Sequence, residues 1–361
     1  MRVLLLAVIV LFDQVSCLRV VVTGATGRIG RLVVHRLLEE GHTVQAIVRD
    51  ANKANEVLPS AAERVLLDLG SSSDEEIAIS CSGADRMIWC ATGFTDAGES
   101  IDVDGMRRWP QLLACEETKQ LEAPRVVMLS SAGVTRPDWE DAKKERLIGA
   151  SDIPIIRLNP GGILGRKVEA ENELRASGVS YCVVRPTGLK FEGWPRGRPI
   201  LSQGDVAVGR TNPDDLAALL VNVLHEPKAS GKTFEAFTLA GYPPARELTP
   251  VLERLRPDAD GPLPEAAVDA TYDALQQLCA PHTPHRTHRA ARTATSAFSP
   301  HRLEPVDLSM WVTLRTGYPA RSRTQQSWRW AALMSRSTRD LYRHERGMHH
   351  PRHVSRRWRP V

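Results

Sequence analysis

Leu18-Arg19-Val20-Val21-Val22-Thr23-Gly24-Ala25-Thr26-Gly27-Arg28-Ile29-Gly30 is the stretch whose reading decides the fold. Residues 18–22 are apolar apart from Arg19, the pattern of a parallel strand covered on both faces. Gly24, Gly27 and Gly30 then lead into residues 28–40, where Ile29, Leu32, Val33, Leu37 and Leu38 recur at helical spacing until Gly41 stops the helix. The first glycine permits a tight turn, the second lets backbone approach a pyrophosphate, and the third lets the helix pack closely on the sheet. The helix start adds amide donors and a positive dipole end. Thr23, Gly24, Ala25, Thr26, Gly27, Arg28, Ile29 and Gly30 are therefore expected to cradle the phosphates of a dinucleotide.

The next strand, residues 43–48, ends in Val48-Arg49-Asp50, with Lys53 one turn later. An acidic residue here would grip the ribose 2′-hydroxyl of NAD, whereas the planar fork of Arg49 matches a 2′-phosphate. With Arg28 nearby, NADP is the expected cofactor and NAD, served by Asp50, the less favoured one. Asp68, after the third strand, is placed either to meet the adenine edge or to act as a helix-start or loop carboxylate. Ala91, Thr92 and Gly93 end the fourth strand and would let backbone lie close to the adenosine. The six cysteines sit at no metal-site or redox-pair spacing, so no metal is expected. Cys90 and Cys182 lie in apolar runs and read as small core residues.

Outward from this unit, strands are expected at 64–67, 86–91, 125–129, 179–184 and 233–239, and helices at 104–119, 168–177 and 214–224. Asn212 caps the last helix and Pro213 lies just inside it. Strands alternating with helices define an α/β fold with a doubly wound parallel sheet. This folded unit is expected over residues 18–245, with a further helix around 265–278.

The two ends differ from it. Residues 3–12 are apolar behind Arg2 and lead to Val15-Ser16-Cys17, the layout of a secretory signal peptide over residues 1–17, too short to span a membrane. Residues 246–361 are expected to be a basic, low-complexity and mostly disordered tail. From 280 onward there are 16 Arg, no Lys and four acidic residues, and only 10 of 82 residues are Leu, Ile, Val or Phe, too few to bury a core. The charge is scattered without motif or zinc-ligand spacing, so no specific nucleic-acid partner is expected.

The strings TGATGRIG (23–30), VVMLSSAGV (126–134), IRLNPGGILGRKVEAENELRASGVSYCVVRPTGL (156–189) and GKTFEAFTLAG (231–241) resemble the atypical short-chain dehydrogenases/reductases, in particular the NAD(P)H-binding, NmrA-like members of plastids and cyanobacteria. The resemblance implies a Rossmann domain with a small C-terminal substrate lobe. In catalytic relatives a Tyr and a Lys stand four apart on a helix, the Lys lowering the pKa of the Tyr that donates a proton. Lys167 occupies the Lys place, but the position four earlier is Ile163, which cannot transfer a proton. The resemblance gives Lys167 either a hydrogen bond to the nicotinamide ribose or no more than a place on the helix surface. Ser130 and Ser131 stand near the nicotinamide, with Ser131 favoured to orient a carbonyl or the carboxamide, and either could instead cap a turn. Pro186, Thr187, Gly188 and Leu189 match the segment that closes over the nicotinamide, and Arg185 reads as an ion-pair partner. Two functions are implied: an NADPH-dependent reductase of a flavin, quinone or similar acceptor, or a non-catalytic NADPH-binding redox-sensing or assembly factor. Expected partners are a small-molecule or protein redox partner, or a membrane-protein complex. The leader and the resemblance together suggest a plastid reached by way of the endoplasmic reticulum.

Overall fold

Val20 and Val22 of strand β1 (Arg19–Thr23) are buried on one side of the sheet and Val21 on the other. An apolar run without alternation is what such a doubly covered strand requires. The computed structural model describes residues 17–113, 122–244 and 247–279. The signal-like segment, apart from Cys17, and residues 280–361 lie outside the described residues.

β1 pairs in parallel with β2 (Thr43–Val48) and β4 (Arg86–Trp89). β3 (Glu63–Leu66), β5 (Val126–Leu129), β6 (Tyr181–Pro186) and β10 (Lys232–Ala240) extend the parallel array, and β8 (Gly197–Ser202) closes it antiparallel to β10. The order is β3-β2-β1-β4-β5-β6-β10-β8. This is the doubly wound Rossmann arrangement, with its switch point between β1 and β4, where a nucleotide crevice forms.

One face is covered by α1 (Gly30–Glu39) and α9 (Pro213–Asn222), through Val33, Val34 and Leu37 against Leu216, Leu219 and Leu220. The other is covered by α3 (Asp74–Ser80), α4 (Ile101–Leu113) and α8 (Ile163–Ala176). Gly105 lets α4 sit directly on Trp89, whose indole leaves no room for a β-carbon there (2.1 Å to Cη2). Trp89 in turn meets Trp109 edge-on, with centroids 6.0 Å apart. Burying side chains of this size stabilises the fold by roughly 1.5–3 kcal/mol each.

The expected strands and the main helices are present, with ends shifted by a few residues; residues 114–119 of the expected fourth helix lie outside the described set. Several elements depart from expectation. α2 (Ala51–Val57), α5 (Asp141–Arg146), α6 (Ile148–Ser151) and α7 (Pro154–Leu158) are too short to show a helical period. β7 (Gly188–Leu189) pairs with β9 (Arg210–Thr211) beside the main sheet. The segment 190–210, for which the sequence pattern gives no expected element, contains β8. Pro199 disguises that strand, and an edge position is where a sheet tolerates proline. The folded unit also continues beyond residue 245. Leu248 and Leu252, beside and within α10 (Thr249–Leu252), join the main core. Val268 and Leu275 of α11 (Glu265–Cys279) join a second core with Trp139, Leu147, Val206 and Phe237.

A pair of histidines fastens the start of β1 to the residues after α9. His42 Nδ1 accepts the Leu18 amide hydrogen (3.3 Å), which puts the His42 proton on Nε2, 3.2 Å from His225 Nε2. Burial holds both imidazoles below their ordinary value of 6.5, with Glu40 opposing at both and Arg86 and His42 adding to the depression at His225. Neutral histidines therefore contribute stability that is fully present above pH 6.5 and is lost as pH falls from the unfolded-state value through the lower folded one. We expect the melting temperature to drop between pH 7.5 and 5.5 and His225→Phe to flatten that drop. An unaltered pH slope in this variant would contradict the assignment.

Candidate functional site

The glycine loop is built by backbone contact. Gly24 has φ +62°, and a β-carbon on it would lie 2.7–2.8 Å from the backbone of Cys90 and Ala91. On Gly30 it would lie 2.2 Å from Gly24 O, and on Gly27 3.0 Å from the same oxygen. The Gly27 amide donates to Gly24 O (2.9 Å), closing the turn and leaving Gly27 and Arg28 exposed. α1 begins without a side-chain cap and with no acidic residue in its first turn, so its positive end is left to a ligand. Beneath the loop the Thr23 hydroxyl is buried without a hydrogen-bond partner among the described residues. The glycine cradle, the uncapped helix start and this orphaned hydroxyl fit a dinucleotide pyrophosphate. Ala25 and Ile29 anchor the loop in the core.

At the end of β2, Arg49 is exposed and makes no side-chain hydrogen bond or ion pair among the described residues. Asp50 is committed elsewhere: its Oδ1 caps α2, accepting from the amides of Asn52 (2.9 Å) and Lys53 (3.1 Å). Asp68 Oδ1 accepts from the Gly70 amide (2.9 Å), which makes it a turn-forming carboxylate, though an exposed one. Ala91 is buried against the glycine loop, Thr92 is exposed, and Gly93 takes φ +137°, a conformation that favours glycine.

At the other end of the crevice, Lys167 on the inner side of α8 is almost wholly buried and pairs through Nζ with Asp102 Oδ1 (3.0 Å). Asp102, in the first turn of α4, reaches the Gly93 amide with Oδ2 (3.4 Å). Ser130 donates to Glu171 Oε1 (2.6 Å), one turn beyond Lys167. Arg185 grips Glu171 with two bonds (2.9 and 2.5 Å), and Arg175 adds a third (3.1 Å). Burial pushes the Glu171 carboxyl up, but Arg185 and then Arg175 outweigh it and hold it below the usual range. Arg185 is thus the ion-pair partner its sequence position suggested. Among the described residues Ser131 makes a local bond alone, to Ala132 O (3.1 Å). Pro186 ends β6, the Thr187 amide donates to Ala236 O, and Gly188 is exposed beside Leu189. Ile163 opens α8 and offers no ionisable group. Burial pushes the neighbouring Cys90 thiol up to about 12, with Lys167 only partly opposing, which disfavours the thiolate.

Two contacts carry the later segments to the crevice. The Arg28 guanidinium lies 4.5 Å from the Phe191 ring centroid, and Gly161 packs on Phe94, where a β-carbon would sit 3.4 Å from the ring. Behind Ser131, Asp205 (φ +57°) accepts from the Gly133 and Thr135 amides and donates its own amide to Glu235. Burial, then the Asp205 charge, pushes the Glu235 carboxyl up to about 7. Sequence reasoning missed Asp102, Glu171, Asp205 and Glu235. In the sequence each is one acid among several, and only the fold shows which are buried.

A doubly wound sheet with this loop at its switch point defines a dinucleotide-binding protein of the Rossmann class. The profile of the NAD(P)H-binding family matches residues 24–227, and the chain belongs to that family. The resemblance to NmrA-like atypical short-chain dehydrogenases/reductases is thereby upheld. Among curated relatives, the chain is 27% identical over 225 residues to the uncharacterized sugar epimerase YhfK of Bacillus subtilis, covering 60% of this chain and 93% of YhfK. It is 27% identical over 235 residues to the chloroplastic protein At2g34460 of Arabidopsis thaliana, covering 64% and 80%. A solved Bacillus halodurans structure of the NAD-dependent epimerase/dehydratase type superposes with TM-score 0.51 at 24% identity, covering 66% of this chain and all of that one, a likeness of fold.

Gly24→Ala combines a left-handed backbone with a clash against Cys90 and Ala91. The conformational part alone costs roughly 1–2 kcal/mol. We expect a lower melting temperature and no thermal stabilisation by added NADPH; a variant stabilised by NADPH like the parent would contradict the role given to the loop.

Proposed function

We propose that the protein binds NADP(H) in preference to NAD(H) and passes hydride to a flavin, quinone or similar acceptor that takes its proton from water. The observation that carries this reading is the end of the crevice opposite the glycine loop. Lys167 and Ser130 are held there in buried networks, while Ile163 stands where catalytic relatives place the proton donor. Hydride transfer needs mostly positioning, because the bound cofactor supplies the chemistry. An epimerase-type reaction, as in YhfK's name, would need a group on this turn that moves protons to and from a hydroxyl, and Ile163 offers none.

The NADP preference rests on Arg49, which is free to meet a 2′-phosphate, and on Asp50, whose carboxylate already caps α2. Lys53 is exposed one turn away and adds charge. Ser130 donates its hydrogen to Glu171, so toward a ligand it offers lone pairs. We assign it to the carboxamide and leave the acceptor to Ser131. Pro186–Leu189 supply the backbone over the nicotinamide, Ala91–Gly93 the adenosine side, and Asp68 borders the adenine. A second reading, a non-catalytic NADPH-binding redox-sensing or assembly factor with a protein or membrane-protein partner, is favoured by one observation: Lys167 is already paired with Asp102.

One titration series tests both statements. NADPH should bind at least about tenfold more tightly than NADH, the effect of one charge-assisted contact, and Arg49→Ala should bring the two together. NADH binding more tightly than NADPH would contradict the assignment. Absorbance of the reduced nicotinamide, followed with a panel of flavins and quinones, should show oxidation with at least one acceptor. Tight NADPH binding without any turnover would favour the second reading.

The chloroplastic relative and the signal-like leader support a plastid entered through the endoplasmic reticulum as the site of action. A fluorescent reporter carrying residues 1–40 is expected in that compartment, and a cytosolic reporter would contradict the proposal.

A further inference from the structure

Asp102 belongs to no motif of the sequence, yet it is 1% exposed and touches two parts of the crevice at once. Its Oδ1 is the acceptor that Lys167 Nζ meets among the described residues, and its Oδ2 lies 3.4 Å from the Gly93 amide. Gly93 O in turn accepts from the Ile101 amide (3.1 Å), so the exit of β4 is pinned to the first turn of α4. Packing between α4 and α8 does not need this pair, because Val103, Met106, Ala170 and Leu174 already form an apolar seam there. A buried Lys–Asp pair is costly to desolvate and is often no more stabilising than apolar residues of the same size. Its presence here calls for another reason. An ammonium has three donors, and Asp102 takes one.

We propose that Asp102 is a positioning residue of the cofactor site, which fixes the Lys167 ammonium and the Gly93 backbone at the carboxyl end of β4 and leaves the other two Lys167 donors for the cofactor's ribose hydroxyls. The inference rests on the NADP(H)-binding reading above. Asp102 touches no substrate and moves no proton; it acts through Lys167. Without it the Lys167 side chain loses its place, and the affinity for the cofactor falls.

The test is NADPH affinity, measured by fluorescence titration of the full-length protein, with the melting temperature recorded in parallel. Asp102→Asn is expected to weaken NADPH by about tenfold, the scale of one hydrogen bond to a charged group. In a Lys167→Met background the same change should add little, because the two residues act as one unit. The charge-swapped pair, Asp102→Lys with Lys167→Asp, separates positioning from structure. It keeps a buried ion pair and should recover the melting temperature, but not NADPH binding, because the cation now sits on α4. Should Asp102→Asn fail to fold, the swapped pair carries the test alone. Parent-like NADPH affinity in Asp102→Asn, or restored affinity in the swapped protein, would overturn the proposal. A parent protein that binds no NADPH would overturn the NADP(H)-binding reading itself.

Discussion

The approach of Gly24 to the backbone of Cys90 and Ala91 is the constraint on which the crevice depends. It joins the exit of β1 to the exit of β4 at the place where the sheet changes direction. A β-carbon at Gly24 would push the two strand ends apart, and one at Gly30 would push α1 off the loop. The hydrophobic effect holds the layers together but is indifferent to where amides point. The glycines convert that packing into a surface of backbone donors at a helix start, and a surface of this kind suits an anion.

Around this fixed point the fold hangs a second constraint, the inner side of α8. Lys167 and Glu171 stand one turn apart on it, and each is tied to a different layer: Lys167 to Asp102 on α4, and Glu171 to Ser130 at the end of β5 and Arg185 on β6. The helix therefore carries buried charge over the interior of the sheet without leaving it unpaired, which a low-dielectric interior requires. Farther along, Asp205 and the wholly buried Arg136 hold the segment after Ser131 in place, Arg136 donating to the carbonyls of Asp205, Ala150 and Ala207. The glycine-loop end of the crevice is thus built from backbone and the opposite end, around Lys167 and Ser130, from buried side-chain networks. The two ends answer to different physics, and so they differ in how far a sequence reveals them.

The backbone part was legible. The apolar run at 18–22, the glycine spacing and the helical period at 29–38 are local, and the structure returns each as read. Asp50 shows the limit of such reading: its sequence position suits both a ribose hydroxyl and a helix cap, and the amides of Asn52 and Lys53 show that it caps. The end opposite the glycine loop was only half legible, because Asp102 and Asp104 look alike in the first turn of α4 and only one is buried. Pro199 hid β8, and the polar stretch 253–262 separated Leu252 from Val268 far enough to conceal that both belong to buried clusters. In each case the missing information was tertiary.

A crystal structure of the full-length protein with NADP+ bound tests the account at its centre. The pyrophosphate is expected on the amides of residues 24–30 at the start of α1, the 2′-phosphate on Arg49, and the nicotinamide ribose within hydrogen-bond distance of Lys167. A dinucleotide bound away from the glycine loop, or one whose ribose is gripped by Asp50 while Arg49 points to solvent, would contradict it.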